Sequence, residues 1–170
     1  MPSDSSTLPA RSKADTLTER PPFPPVLMGR VGFLLGMVKG GGEPICMRAL
    51  APLDLPVKQF GLLTVLATEG PLSQQELAEW VRTDRTTMVA QIDSMEERGW
   101  VRRERNPGDR RAYLLKLTPA GKRVQARGIQ LMKRAEDEWL GSLNDRERRQ
   151  LVALLGKVAV DVGRPMSDPR

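Results

Sequence analysis

Twelve basic side chains fall between Arg98 and Arg134, opposed within that stretch only by Glu104 and Asp109, a local charge of +10. The whole chain carries +6, so the remainder is about −4 and the basicity is concentrated. A concentrated cationic stripe is suited to a polyanion, nucleic acid first and an anionic membrane surface second; the plain alternative is a solvated charged face. Its densest part is Arg102–Arg111, where Arg105, Arg110 and Arg111 surround the turn-forming run Asn106-Pro107-Gly108-Asp109. Just upstream stand Thr83, Arg85, Thr86, Thr87 and Ala90. Small polar and methyl-bearing side chains of this kind can approach base edges and the thymine methyl, and an arginine beside them can take a phosphate or a guanine. Other chemistry is poorly provided for. The chain has no histidine and one cysteine, Cys46, which removes the usual general base, the commonest metal ligand and any internal disulfide. With no glycine-rich phosphate loop either, no catalytic residue, metal ligand or cofactor is assigned, and an enzyme is not expected.

The elements that must position these residues follow from spacing. Thr83 to Ala90 lie on a helix expected from about Asp84 to Arg98, with Met88, Ile92 and Met95 inward and Gly99 as the residue after its C-terminus. A short helix precedes it, opened by the capping box Ser73-Gln74-Gln75-Glu76 and carrying Leu77, Ala78 and Val81 inward. The period then changes, and Trp100–Arg105 and Ala112–Leu117 read as two short strands about the basic turn. Two short helices followed by a hairpin with a basic tip make a winged helix-turn-helix, in which one helix fits a major groove and the hairpin reaches the minor groove beside it.

The flanks read as helices. Val26–Val38 is apolar nearly all round, and the Gly40–Pro44 run is expected to break it, with Ile45–Leu50 resuming. Pro56 opens a helix through Val57, Phe60, Leu63 and Leu66, ended by Glu69-Gly70-Pro71. Thr118-Pro119 opens a long helix through Val124, Leu131, Ala135 and Trp139, and Asn144–Glu147 caps a last one carrying Leu151, Leu154, Leu155, Val158 and Val162. The stripes on the first and last helices are too apolar for a thin monomer surface and call for a second copy. The fold expected is mainly α with one small β-hairpin. Residues 1–25 form a flexible tail, 26–55 an N-terminal dimerisation region, 56–118 the winged domain, 119–163 C-terminal dimerisation helices and 164–170 a second tail. No apolar run approaches 18 residues and the N-terminus lacks the order of a signal peptide, so neither a membrane span nor export is expected, and the location expected is cytoplasmic.

The run RRERNPGDRRAYLLKLTPAG resembles the wing signature of the MarR family of bacterial repressors, a D-x-R tip before a strand ending in Leu-Thr. LSQQELAEWVRTDRTTMVAQIDSMEERGWV fits that family's helix-turn-helix, and the resemblance extends over about residues 26–162. It implies a homodimer with interlocked terminal helices, bound to a pseudo-palindromic double-stranded operator and released by a small phenolic or anionic aromatic ligand. Arg111 falls on the wing arginine that enters the minor groove and Asp109 on the aspartate that braces it. Met28, Arg30, Phe33, Met37, Lys58, Phe60 and Trp100 are the candidates to line a ligand space. Two departures stand out: Val89-Ala90 replace a Thr-Arg pair found in many members, and the Gly40–Pro44 run lies where members keep a continuous first helix, so a kink is expected there. In the peroxide-sensing branch the cysteine sits where this chain has Gly32. A redox switch through Cys46, fourteen residues later, and a winged helix serving protein interaction are the alternative functions.

Overall fold

The structure, a computed structural model, describes residues 23–163, without the side chains of Arg110 and Arg111. Apart from Phe23–Pro25, the two expected tails lie outside the described residues. The chain divides into two units at Gly40/Gly41, each taken here alone.

In the first unit a single turn of helix, α1 (Pro25–Met28), starts with proline at its first position, where the missing N–H costs nothing. The chain turns at Gly29, and α2 (Val31–Leu50) begins two residues later. Phe23 and Phe33 meet edge to face with centroids 5.4 Å apart. The break expected at Gly40–Pro44 is therefore misplaced: it falls at Gly29-Arg30, and α2 runs through Pro44. Tertiary packing overrides local preference there, because Gly42, Cys46 and Leu50, one helical turn apart, are all buried. A side chain at Gly42 would collide with the Trp139 ring, so this glycine serves close approach and not chain reversal.

In the second unit a 3-10 turn, Ala51–Leu53, leads to α3 (Val57–Glu69), with Pro56 outside its first turn as the N-cap. Then come β1 (Leu72–Ser73), α4 (Gln74–Val81), α5 (Arg85–Glu97), β2 (Val101–Asn106), β3 (Asp109–Leu117), α6 (Pro119–Trp139) and α7 (Asp145–Gly163). The core gathers Leu50, Leu63, Leu77, Met88, Ile92, Met95, Val101 and Leu115, which draws α3, α4, α5 and the sheet together. The sheet has three antiparallel strands in the order β1-β3-β2, one more than the hairpin expected, since Leu72 and Ser73 pair with Leu115 and Leu114. No single helix among the described residues is long and apolar enough to cross a membrane.

Both terminal caps form as the sequence implies. Thr118 accepts from the Gly121 amide at 3.0 Å, and Asn144 and Glu147 bond reciprocally at 2.8 and 3.1 Å. Large apolar side chains nevertheless remain uncovered: Val31 is 71% exposed on α2, and Val162 is 70% exposed on α7, with Leu154, Leu155, Val158 and Val160 exposed beside it.

Candidate nucleic-acid interface

Two caps set the helix pair. Ser73 Oγ accepts from the Glu76 amide at 3.2 Å, while the Glu76 carboxylate accepts from the Ser73 amide at 2.7 Å. Asp84 Oδ1 accepts from the Thr87 amide at 2.9 Å and starts α5. These hydrogen bonds hold both carboxyls below the ordinary carboxylate range, the Ser73 backbone bond leading for Glu76 and the Thr87 bonds for Asp84. Between the helices Arg82 closes α4 in the left-handed region (φ 51°), a conformation that glycine usually supplies.

With Met88, Ile92 and Met95 wholly buried, α5 turns Arg85, Thr86 and Ala90 outward. Thr83 and Thr87 are half-buried at the edge of that face, and Val89 emerges beside Ala90. Opposite this helix, Arg105 pairs with Tyr113 across β2 and β3, and its guanidinium lies over the Tyr113 ring at 5.7 Å. Asp109 pairs with Asn106 at the tip, and Asn106 Oδ1 accepts from the Gly108 amide at 2.9 Å. The backbones of Arg110 and Arg111 lie in β3, while their side chains fall outside the described residues. A hollow of about 550 Å³ separates helix and wing, with Arg85 on one wall, Tyr113 and Arg103 on another, and Gln74 and Gln75 of α4 at its edge. Tyr113 was not singled out from sequence. Its cross-strand register with Arg105 was the signal available.

The cationic stripe is partly consumed by the fold. Arg103 reaches Asp93 at 2.6 Å and pairs with Glu96, while its own amide donates to Glu96 Oε1 at 3.1 Å, so β2 is latched to α5. Bonding to Asp93 leads the causes that raise the Arg103 pKa further. Arg98 pairs with Asp54 at 3.0 Å and lies over the Trp100 ring; Arg102 and Lys116 share Glu104 at 2.5 and 3.4 Å. Asp54, Asp93 and Glu96 lie outside the 98–134 stretch, so the net +10 of that sequence window overstates the charge presented.

The ligand candidates take separate places. Lys58 borders a cavity of about 420 Å³ with Glu43, Met47 and Asp54. Phe60 packs over Gly128, and Trp100 is 8% exposed within the core. Met28, Arg30, Phe33 and Met37 belong to the first unit, where Met28, Arg30 and Met37 are exposed and Phe33 meets Phe23. Cys46 is buried, and burial followed by the Glu136 charge pushes its thiol pKa up, away from the thiolate that peroxide chemistry uses.

A capped helix pair, a recognition helix with one bare face and a latched hairpin define a winged helix-turn-helix protein. The model of the MarR family matches residues 55–113. The chain is 36% identical over 99 residues to a candidate transcriptional regulatory protein for the hcr operon of Thauera aromatica, an alignment covering 58% of this chain and 60% of that one. It is 30% identical over 105 residues to the transcriptional regulator HosA of Escherichia coli O111:H-, covering 62% of this chain and 78% of HosA. Among solved structures it resembles BpsR of Bordetella bronchiseptica, whose DNA binding is regulated by 6-hydroxynicotinic acid (TM-score 0.71, 25% identity, 82% of this chain and 98% of that one). The chain belongs to the MarR family. Its relatives are transcriptional regulators and not enzymes.

Proposed function

We propose that this chain is a cytoplasmic, homodimeric transcription repressor that binds a pseudo-palindromic double-stranded DNA site and is released by a small anionic or phenolic aromatic ligand. The observation that carries the reading is the exposed face of α5, where Arg85, Thr86 and Ala90 stand clear of the core beside a latched, arginine-bearing wing. Helix α5 enters the major groove; Thr83 and Thr87 meet its edges, and Ala90 meets a base edge or thymine methyl. Arg105, Arg110 and Arg111 follow the adjacent backbone and minor groove, with Asp109 bracing the tip. The uncovered apolar residues of α2 and α7 support a second copy as partner, because a soluble monomer rarely leaves such faces bare. BpsR supports ligand release, and among the ligand candidates Lys58, which borders a cavity, is the first position to test.

Selection of bound fragments from a random double-stranded pool tests the DNA reading. The expected product is an inverted repeat with half-sites about one helical turn apart, roughly 10 bp. Recovery of no enriched sequence sinks it, and sedimentation as a monomer at micromolar concentration removes the dimer.

A further inference from the structure

On the function proposed above, α5 and the wing occupy neighbouring grooves of one duplex, and the sugar-phosphate strand that divides those grooves must pass between them. The hollow of about 550 Å³ is the space they leave. Arg85 of α5 stands on one wall and Tyr113 of β3 on another. Tyr113 is the only tyrosine in the chain, and it is 48% exposed.

The alternation of the hairpin explains what this ring does. Side chains two apart share a face, so Val101, Arg103 and Arg105 of β2 stand on the same face as their partners Leu117, Leu115 and Tyr113. Outward along this face the rungs pass from the buried Val101–Leu117 pair to Arg103–Leu115 and then to Arg105–Tyr113. Arg103 is tied to Asp93 and Glu96, which fixes the reach of the wing from α5. The next rung therefore stands about 7 Å further out at a set height. There the guanidinium carbon of Arg105 lies 5.7 Å from the Tyr113 ring centroid. Glu104, between the two arginines, serves Arg102 and Lys116 on the opposite face. A long arginine side chain loses much rotamer freedom when held in one place, and a stiff aromatic ring beside it removes part of that freedom beforehand. Unlike a carboxylate, a ring face attracts the guanidinium without cancelling its charge.

We propose that Tyr113 is a positioning residue, whose ring holds the Arg105 guanidinium for the DNA backbone strand seated between α5 and the wing. The ring face does this, and the hydroxyl is dispensable. The inference rests on the DNA reading above.

The test is fluorescence anisotropy of the full-length protein on a selected DNA site. Tyr113→Leu is expected to weaken binding about three- to fivefold, the scale of an exposed cation–π contact, while Tyr113→Phe matches the wild type. Arg105→Gln is expected to cost about tenfold, and adding Tyr113→Leu to it should cost nothing more. The contact is also read without DNA: the Arg105 Nε–H proton should be shifted upfield by the ring in the wild type and in Tyr113→Phe, and not in Tyr113→Leu. Tyr113→Thr, a second strand-favouring replacement, carries the same expectations should the leucine variant fold poorly. Wild-type affinity in Tyr113→Leu, a Tyr113→Phe variant as weak as Tyr113→Leu, a loss that persists in the Arg105→Gln background, or an Arg105 proton indifferent to the ring would each overturn the proposal. A wild-type protein that selects no DNA fails the function proposed above, whereas tight binding untouched by Tyr113→Leu fails this inference alone.

Discussion

Gly121→Ala tests whether the wing and α6 are one piece. A methyl group there would lie 2.9 Å from the carbonyl carbon of Trp100 and 3.2 Å from its Cα, with the carbonyl oxygen nearer still. All three atoms are backbone, so no flexible side chain can give way. Ordinary carbon contacts sit at about 3.5–4.0 Å, so the first turn of α6 must retreat by on the order of 1 Å. Three hydrogen bonds are anchored at that point: Thr118 Oγ1 to the Gly99 carbonyl at 2.6 Å, the Thr118 amide to the Trp100 carbonyl at 3.0 Å, and the Gly121 amide to Thr118 Oγ1 at 3.0 Å. Losing them costs about 1 kcal/mol each. Alanine's better helix propensity returns about 1 kcal/mol, leaving a net loss of about 2 kcal/mol. At about 2–4 °C per kcal/mol, Tm should fall by about 4–8 °C. Thermal unfolding followed by circular dichroism measures this. Gly61→Ala serves as the control, because nothing lies within 4 Å of a methyl group there and the propensity gain stands alone. A Gly121→Ala protein that melts at or above wild type would refute the reasoning.

Arg103→Ala should lower stability by about 1–2 kcal/mol, discounted because the side chain is 30% exposed, and Arg103→Lys should recover only part of it, lacking the two-pronged fork. Urea midpoints in a double-mutant cycle with Glu96→Gln measure the coupling, and additive losses would remove the latch. On acidification, Glu76 and Asp84, both held below the ordinary carboxylate range, contribute stability that is complete above about pH 5 and lost as pH falls through their lowered pKa values. Glu76→Gln and Asp84→Asn should therefore start less stable and lose less between about pH 4.5 and 2.5; parallel acid profiles for wild type and variants would contradict this. Arg111→Ala should weaken binding to a selected DNA site by about 1–3 kcal/mol with an unchanged melting curve, read by anisotropy, and unchanged affinity would take Arg111 out of the interface.

What was legible in the sequence was what local chemistry decides. The Ser73, Thr118 and Asn144 caps each need only three or four consecutive residues, and all three form. The inward set Met88, Ile92 and Met95 was likewise fixed by helical period alone. Strand β1 was not legible, because two residues become a strand only through pairing with Leu114 and Leu115, some forty positions away. The place of the helix break was misread for a related reason: glycine propensity at Gly40–Gly42 is local, but the Trp139 ring that Gly42 admits is not. Within the candidate site, the outward turn of Arg85, Thr86 and Ala90 followed from the period. The carboxylates that occupy Arg98 and Arg103 come from Asp54, Asp93 and Glu96, and only the folded chain brings them there.

Those occupied cations change how the protein should respond to ionic strength. A DNA duplex carries condensed counterions, and each phosphate neutralised by protein releases some of them, which sets the slope of log affinity against log salt at about −0.9 per contact. Of the twelve basic residues in the stripe, Arg98, Arg102, Arg103 and Lys116 already face carboxylates. A cation balanced by its own protein neutralises little more. The slope is therefore shallower than all twelve charges would give, and the entropy of ion release supplies less of the affinity than a pI near 10.0 suggests. More of it falls to the shape of α5 and the wing, contacts that persist when salt rises.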